Sequence, residues 1–113
     1  MSNFKGTVQK YYVIGSGIYE KKFLSDILWK DNEFDITHYT TYRVRGNRIN
    51  DVIIGGAFGE FLHFNGITWK SYIDHTMLNS GRFYGLNIKD NIIIAVGLNN
   101  PQAVITMGTR IIN

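Results

Sequence analysis

The chain contains no cysteine, which excludes a disulfide framework, a thiolate metal site and a thiol nucleophile. It has a single proline, and none of its apolar runs approaches the roughly 18 residues that a membrane-spanning helix needs. Its first residues lack the apolar segment of a signal peptide. From the sequence as given we expect a soluble, unexported chain without membrane contact, and the native compartment stays open.

Charge of one sign is also scarce, since 12 Lys and Arg residues oppose 9 Asp and Glu residues. The net charge of +3 is too small an excess to predict a nucleic-acid partner. Hydrophobic residues make up 44% of the 113 residues, which excludes a disordered chain and fits one domain. The 12 glycines and the aromatic content favour strands joined by tight turns.

The chain repeats itself at a spacing of about 42 residues. A shift of 42 places Tyr42 on Tyr84 and residues 52–55 on residues 94–97, and a shift of 40 places residues 12–15 on residues 52–55. Apolar positions and glycines coincide, as they do in structural repeats. Three units are therefore predicted, at residues 1–41, 42–83 and 84–113.

The middle unit has the pattern of four short strands. Asn65 and Gly66 form a strong hairpin signal between two apolar runs, because a tight hairpin turn needs residues that tolerate positive φ. A period near 42 with four strands is typical of propeller blades. The predicted strands are residues 42–45, 52–54, 61–64 and 67–72, followed by a loop at residues 75–81.

The first unit is less regular than the middle one. About six additional residues near positions 17–22 are predicted to extend a hairpin or a loop. Residues 22–30 carry apolar pairs every four residues, which also fits an amphipathic helix, whereas the repeat alignment predicts a strand at residues 27–30. In the third unit most of the fourth strand is missing, so the sequence predicts sheets of four, four and three strands.

The segment NDVIIGGAFGEFLHFNGITWKSY, residues 50–72, resembles bacterial β-propeller repeats that read Asn-Asp, a hydrophobic run, Gly, then Gly-x-hydrophobic-x-His-aromatic-Asn/Asp-Gly-x-x-Trp. The neighbouring units match in part, and the third has Ile111 at the position of Trp69. The resemblance implies an all-β fold of about three propeller-type blades, as a partial or oligomer-completed β-propeller. Similar propellers are often extracytoplasmic binding or scaffold modules, and enzymes are a minority.

Six residues are the candidates for ligand binding. Arg43 and Arg45 are expected on one face of a strand, where they could bind a phosphate or an acidic partner or simply face solvent. His63 could contact a ligand, or could bond a neighbouring strand. Aromatic residues could stack on sugars or could lie between sheets, where we expect Trp69. The candidates are Tyr42, Arg43, Arg45, His63, Trp69 and Tyr84, with Tyr42 and Tyr84 at equivalent positions of inner strands.

No catalytic, metal or cofactor site is predicted. Asp74 and His75 are an adjacent acid and imidazole, and Ser71 or Ser80 could complete a triad, but no nucleophile-elbow motif is present. The three histidines show no metal-ligand spacing. The pair at positions 74 and 75 is therefore interpreted as part of a solvated loop.

We expect a non-catalytic binding or scaffold module that recognises a protein or a glycan through loops at one end of the array. The alternative is part of a propeller-based hydrolase or glycan-active enzyme completed by other blades. Three blades leave apolar sheet faces open to water, whereas a closed propeller has about four to eight blades. A homodimer that closes a six-bladed ring is the leading expectation for a partner, and the remaining blades of a longer propeller are the alternative.

Overall fold

The computed structural model describes residues 11–15, 17–21, 30–31 and 37–109. About two thirds of this part of the chain is antiparallel strand, and it contains one single-turn helix. The elements are β1 (Tyr11–Gly15), β2 (Gly17–Lys21), β3 (Lys30–Asp31), β4 (Thr41–Arg48), β5 (Asp51–Gly56), β6 (Phe61–Phe64), β7 (Trp69–Ser71), α1 (Ile73–Thr76), β8 (Gly81–Lys89), β9 (Ile92–Asn99) and β10 (Gln102–Thr109).

The strands form three sheets in chain order. The first sheet is β1-β2-β3, the second is β4-β5-β6-β7 and the third is β8-β9-β10. The prediction of an all-β chain with four strands in the second unit and three in the third is confirmed. Residues 1–10 and most of the segment at residues 22–30, where helix and strand were alternatives, lie outside the described residues. The four strands predicted for the first unit therefore stay a prediction.

The additional residues of the first unit form a strand. β2 occupies the place of the predicted insertion, and it pairs with β1 from Gly15 opposite Gly17 to Tyr11 opposite Lys21. Gly15 has a φ of 135°, a value that glycine adopts without the steric penalty of a side chain. The insertion therefore forms part of a hairpin, which was one of its two predicted roles.

Two local predictions need correction. The connection after β6 spans four residues before Trp69 rather than two, because the Asn65 side-chain oxygen accepts hydrogen bonds from the backbone N–H groups of Ile67 and Thr68, each at 2.9 Å. This side chain holds an Asx-type turn, which postpones the fourth strand. The predicted loop at residues 75–81 begins inside α1 (Ile73–Thr76), where the Thr76 hydroxyl donates to the Tyr72 carbonyl at 3.0 Å.

Apolar clusters fill the two interfaces between successive sheets. Ile18 of the first sheet packs with Ile54 and Leu62 of the second. The cluster between the second and third sheets is larger and contains four side chains of the third sheet. Its buried members are Ile53, Phe61, Leu78, Phe83, Leu86, Ile88 and Ala95. Burial of apolar surface, at about 25 cal/mol per Å², makes these two interfaces the main source of stability.

The first strands of the second and third sheets share an irregularity. Tyr42 is an additional residue between the pairs Thr41–Gly56 and Arg43–Gly55, and Tyr84 is an additional residue between Phe83–Gly97 and Gly85–Val96. A bulge of this kind leaves one residue of the strand unpaired. Tyr42 and Tyr84 occupy equivalent positions, as predicted, because each is the bulged residue of the first strand of its sheet. Their place on inner strands of a propeller stays a prediction.

The second strands of the second and third sheets, β5 and β9, align at a shift that is one residue smaller than 42. β4 contains a further bulge between Gly46 and Arg48 that β8 lacks. A Cβ atom on Gly56 would collide with the Thr40 carbonyl oxygen, and one on Gly97 would collide with the Arg82 carbonyl oxygen. The two glycines therefore occupy matching positions, at a shift of 41.

The first unit shows a similar offset. Ile14 and Ile54, which a shift of 40 superimposes, belong to facing sheets, and Ile14 packs against the cluster that contains Ile54. Side chains alternate between the faces of a strand, so a change of register by one residue moves a side chain to the opposite face. The alignment that matches the faces of β1 and β5 therefore differs from a shift of 40 by an odd number of residues.

Backbone and side-chain hydrogen bonds join each sheet to the start of the next. The Gly15 N–H donates to the Thr41 hydroxyl at 2.8 Å, and the Phe58 N–H donates to the Gly81 carbonyl at 2.8 Å. Ala57 also forms an isolated antiparallel bridge with Arg82. The first strand of each following sheet is thereby held near the preceding sheet. No helix among the described residues has the length and apolar character to cross a membrane.

Candidate functional site

An arginine lies between the two bulged tyrosines. The guanidinium carbon of Arg82 is 5.6 Å from the ring centre of Tyr42 and 5.1 Å from that of Tyr84. The Arg82 Nε–H donates a hydrogen bond to the Tyr84 hydroxyl at 2.9 Å. A cation against aromatic rings is attracted by their electron-rich faces. This aromatic–arginine cluster (Tyr42, Arg82 and Tyr84) links the first strands of the second and third sheets.

The electrostatics of the cluster favour the charged guanidinium. The hydrogen bond to Tyr84, followed by one to Tyr42, raises the pKa of Arg82. Tyr84 is 46% exposed, so the cluster lies at the surface. None of the described carboxylates forms an ion pair with Arg82. The cluster therefore presents a fixed positive charge to solvent.

Arg43 and Arg45 are both exposed on β4, as predicted. Each guanidinium donates to the carbonyl of the residue before it, Arg43 to Tyr42 at 3.0 Å and Arg45 to Val44 at 2.8 Å. These local bonds orient the side chains along the strand. Together with Arg82 they add positive charge on the two first strands, which is chemically suited to an anionic group.

His63 is held by a buried carboxylate of the neighbouring strand. Its Nε2 lies 2.7 Å from Oδ1 of Asp51, whose side chain is 5% exposed. The Asn47 amide donates to the other carboxylate oxygen at 3.2 Å. The bond from His63 to a neighbouring strand was one of its two predicted roles. Because an ionised carboxylate only accepts, Nε2 is the donor and Nδ1 keeps its lone pair in the neutral ring.

His63 also lines a cleft of about 540 Å³ between the second and third sheets. One side of the cleft comes from β6 and from the α1 region, and the other comes from β9 and β10. The lining combines apolar, imidazole and hydroxyl groups. Its residues are Phe61, His63, Tyr72, His75, Thr76, Ile93, Thr106, Met107, Gly108 and Thr109.

Trp69 lies at the interface between the first and second sheets. Its ring centre is 5.1 Å from that of Phe64 and 6.2 Å from that of Tyr12, the second contact being edge to face. Trp69 is half-buried, while Asn65 and Gly66 are exposed. The predicted place of Trp69 between sheets is confirmed, although its burial is partial.

The structure does not assemble a triad around Asp74 and His75. Ser71 accepts a hydrogen bond from the Ile73 N–H at 3.3 Å, and Ser80 donates its N–H to Asn99 at 3.0 Å. Within residues 37–109, no hydrogen bond joins either serine to His75. Residues 11–15, 17–21, 30–31 and 37–109 also contain no group of three potential metal ligands.

Three residues have defined roles that were not predicted from the sequence. Asp51 orients His63, Arg82 joins Tyr42 and Tyr84, and Glu60 is wholly buried. An oxygen of the Glu60 carboxylate accepts from the backbone N–H groups of His38 and Tyr39, the latter at 3.0 Å. Only Asp51 carried a sequence signal, since it belongs to the Asn-Asp pair of the repeat.

No protein-family model matches the chain, and no curated protein or solved structure shows significant similarity to it. No relative supplies site residues, so the candidate sites are those that the contacts in this chain define, namely the aromatic–arginine cluster and the cleft.

Proposed function

We propose that the chain is a non-catalytic binding or scaffold module of β-propeller type, in which each sheet is a blade-like unit. In this proposal a second copy of the chain covers the third sheet, and the assembled array presents its surfaces to a protein or glycan partner. One observation carries the proposal, namely that the third sheet exposes an apolar face whose counterpart on the second sheet is buried.

The third sheet has one face packed on the second sheet and one face turned away from it, which is called the forward face here. The forward face carries Ile92, Ile94, Val96, Ile105 and Met107. Ile105 pairs with Val96 and Met107 pairs with Ile94, so these side chains share one face. Ile105 is 73% and Met107 is 63% exposed. Apolar side chains gathered on one exposed face are typical of an interaction surface.

The second sheet gives the forward face its internal counterpart. Counted from the matching glycines Gly56 and Gly97, Ile94 corresponds to Ile53. Ile53 is 0% exposed because the third sheet packs on it. The same shift places Gly55 on Val96. Since Phe61 pairs with Gly55 and Ile105 pairs with Val96, Ile105 corresponds to Phe61. A further sheet of the same kind is therefore the occupant that suits this face.

Two copies of the chain supply twice the three sheets, and six lies within the range of about four to eight blades in closed propellers. A head-to-tail contact closes when the rotation between copies completes the ring, and it then leaves no open sheet face. A homodimer is accordingly the proposed assembly. The remaining blades of a longer propeller would cover the face in the same way.

Light scattering on two charged variants tests the proposal. Ile105→Lys places an ammonium on the forward face, and Ile67→Lys is the matched control, because Ile67 is 86% exposed in the turn before β7. We expect the control to keep twice the chain mass of 13.0 kDa, and Ile105→Lys to be a folded monomer. Equal masses for the two variants would exclude the forward face as the contact.

A further inference from the structure

We propose that the cleft between the second and third sheets binds an uncharged pyranose sugar. The proposal names a ligand class for the proposed binding function and rests on that function, but it does not depend on the proposed dimer. Of the residues that line the cleft, Met107 also belongs to the forward face, whereas Phe61, His63, Ile93 and Thr106 do not, so the site does not require a second chain.

The charge of the lining favours a neutral ligand. The described residues that line the cleft include neither a carboxylate nor a lysine or arginine. The Lys70 ammonium lies 5.1 Å from the ring centre of Tyr72, but Lys70 is exposed and water screens its charge. A charged ligand would therefore lose water in a partly enclosed site and gain only a screened attraction, which is costly. A ligand without formal charge avoids that cost.

The polar groups of the lining suit hydroxyl groups. His63 is fixed by Asp51, and in the neutral ring with the proton on Nε2 its Nδ1 lone pair can accept a hydrogen bond from a ligand hydroxyl. Thr106 lies on the opposite side of the cleft and pairs with the buried Ala95, and its hydroxyl can both donate and accept. Because Asn47 also holds Asp51, the orientation of His63 is set before a ligand arrives.

The apolar part of the lining suits the C–H face of a sugar ring. Phe61 and Tyr72 meet edge to face at 6.3 Å between ring centres, and Ile93 contributes from the third sheet. The volume of about 540 Å³ falls in the range of roughly 300 to 1,000 Å³ that is usual for small-ligand sites. A ligand with one apolar face and a rim of hydroxyls satisfies both parts of the lining.

Nuclear magnetic resonance on the 15N-labelled chain tests the ligand class. The probes are the methyl glycosides of glucose, galactose, mannose and N-acetylglucosamine, with glucuronate as the charged counterpart. We expect at least one neutral glycoside to shift the amides of residues 75–76 and 106–109 and to bind about 10-fold or more tightly than glucuronate. Shifts confined to other residues, tighter binding of glucuronate, or no shift with any glycoside would overturn the proposal.

Two variants separate a binding role from a structural one. Thr106→Val removes a hydroxyl while keeping the shape of the side chain, and His75→Ala alters an exposed residue, so neither should unfold the chain. Each variant should weaken binding of the neutral glycoside by about 3- to 10-fold, the effect of one ordinary hydrogen bond. His38→Gln, at an exposed histidine outside the cleft, should leave binding unchanged. Equal affinities for all three variants would contradict the site.

Discussion

The imidazole Nε2 of His63 lies 2.7 Å from Oδ1 of Asp51, and this contact joins two adjacent strands at the edge of the cleft. Asp51 is buried, and it is held in turn by Asn47, which lies at the second bulge of β4. A structural irregularity in one strand therefore helps to position an imidazole two strands away. The same contact stabilises the second sheet and orients a group that faces a candidate ligand.

Loss of the Asp51 carboxylate should destabilise the fold. Asp51→Ala leaves the partner atoms of His63 and Asn47 without their acceptor, so we expect the free energy of unfolding to fall by about 1 to 3 kcal/mol. Asp74→Asn is the control at an exposed carboxylate, with an expected change within about 0.5 kcal/mol. Urea denaturation measures both, and similar small losses would show that the buried contact contributes little.

Tyr12 makes stability depend on pH at the alkaline end. Burial, followed by the nearby Glu20 carboxylate, raises the pKa of the Tyr12 phenol from 10.0 to about 12. The unfolded chain therefore releases this proton first. The contribution of Tyr12 to stability is complete below pH 10.0 and declines as the pH rises towards about 12.

Tyr12→Phe should remove that part of the alkaline decline. The Tyr12 hydroxyl is buried and has no hydrogen-bond partner within the described ranges, so at neutral pH the variant should be at least as stable as the parent chain. Tyr39→Phe, at a residue that is 41% exposed, should retain the decline. Urea denaturation at several pH values gives the comparison. A decline of equal size in both variants would assign it to other groups.

Two glycines of the third sheet should respond oppositely to alanine. A Cβ atom on Gly97 would collide with the backbone of Arg82, whereas one on Gly108 meets nothing within 4 Å. We expect Gly97→Ala to lower stability by about 2 kcal/mol or more. Gly108→Ala should cost nothing or stabilise by up to about 1 kcal/mol. Thermal denaturation distinguishes the two, and a well-tolerated Gly97→Ala would contradict the close approach of β8 and β9.

Trp69 should contribute less than a fully buried tryptophan. It is half-buried against Phe64 and Tyr12, so Trp69→Ala should cost about 2 to 3 kcal/mol, near the low end of the range for large aromatics in cores. Ile67→Ala in the neighbouring exposed turn should change stability by less than about 0.5 kcal/mol. If Trp69→Ala costs less than about 1 kcal/mol, the interface between the first and second sheets does not depend on this ring.

The sequence predicted the type and order of the strands because alternation and turn residues are local signals. It also placed Tyr42 and Tyr84 at matching positions. It did not predict the offset of the second strands, since the bulge at Asn47 changes the register without changing the pattern of apolar residues. As a result Ile53 and Ala95, which a shift of 42 superimposes, belong to facing sheets in one core cluster.

The candidate site was predictable only in part. His63, Arg43 and Arg45 were recognised as single residues, because their chemistry is visible in the sequence. Their partners were not, because the contacts of Asp51 and Arg82 depend on strand pairing and on the approach of one sheet to the next. The cleft likewise requires two sheets to be placed against each other, which no spacing within a single unit describes.

The solution mass of the unmodified chain tests the central claim most directly, namely that a second copy covers the forward face of the third sheet. Sedimentation across a dilution series should give twice the 13.0 kDa chain mass at micromolar concentration, with dissociation on further dilution. A folded chain that sediments as a monomer at micromolar concentration, with no partner present, would contradict the claim.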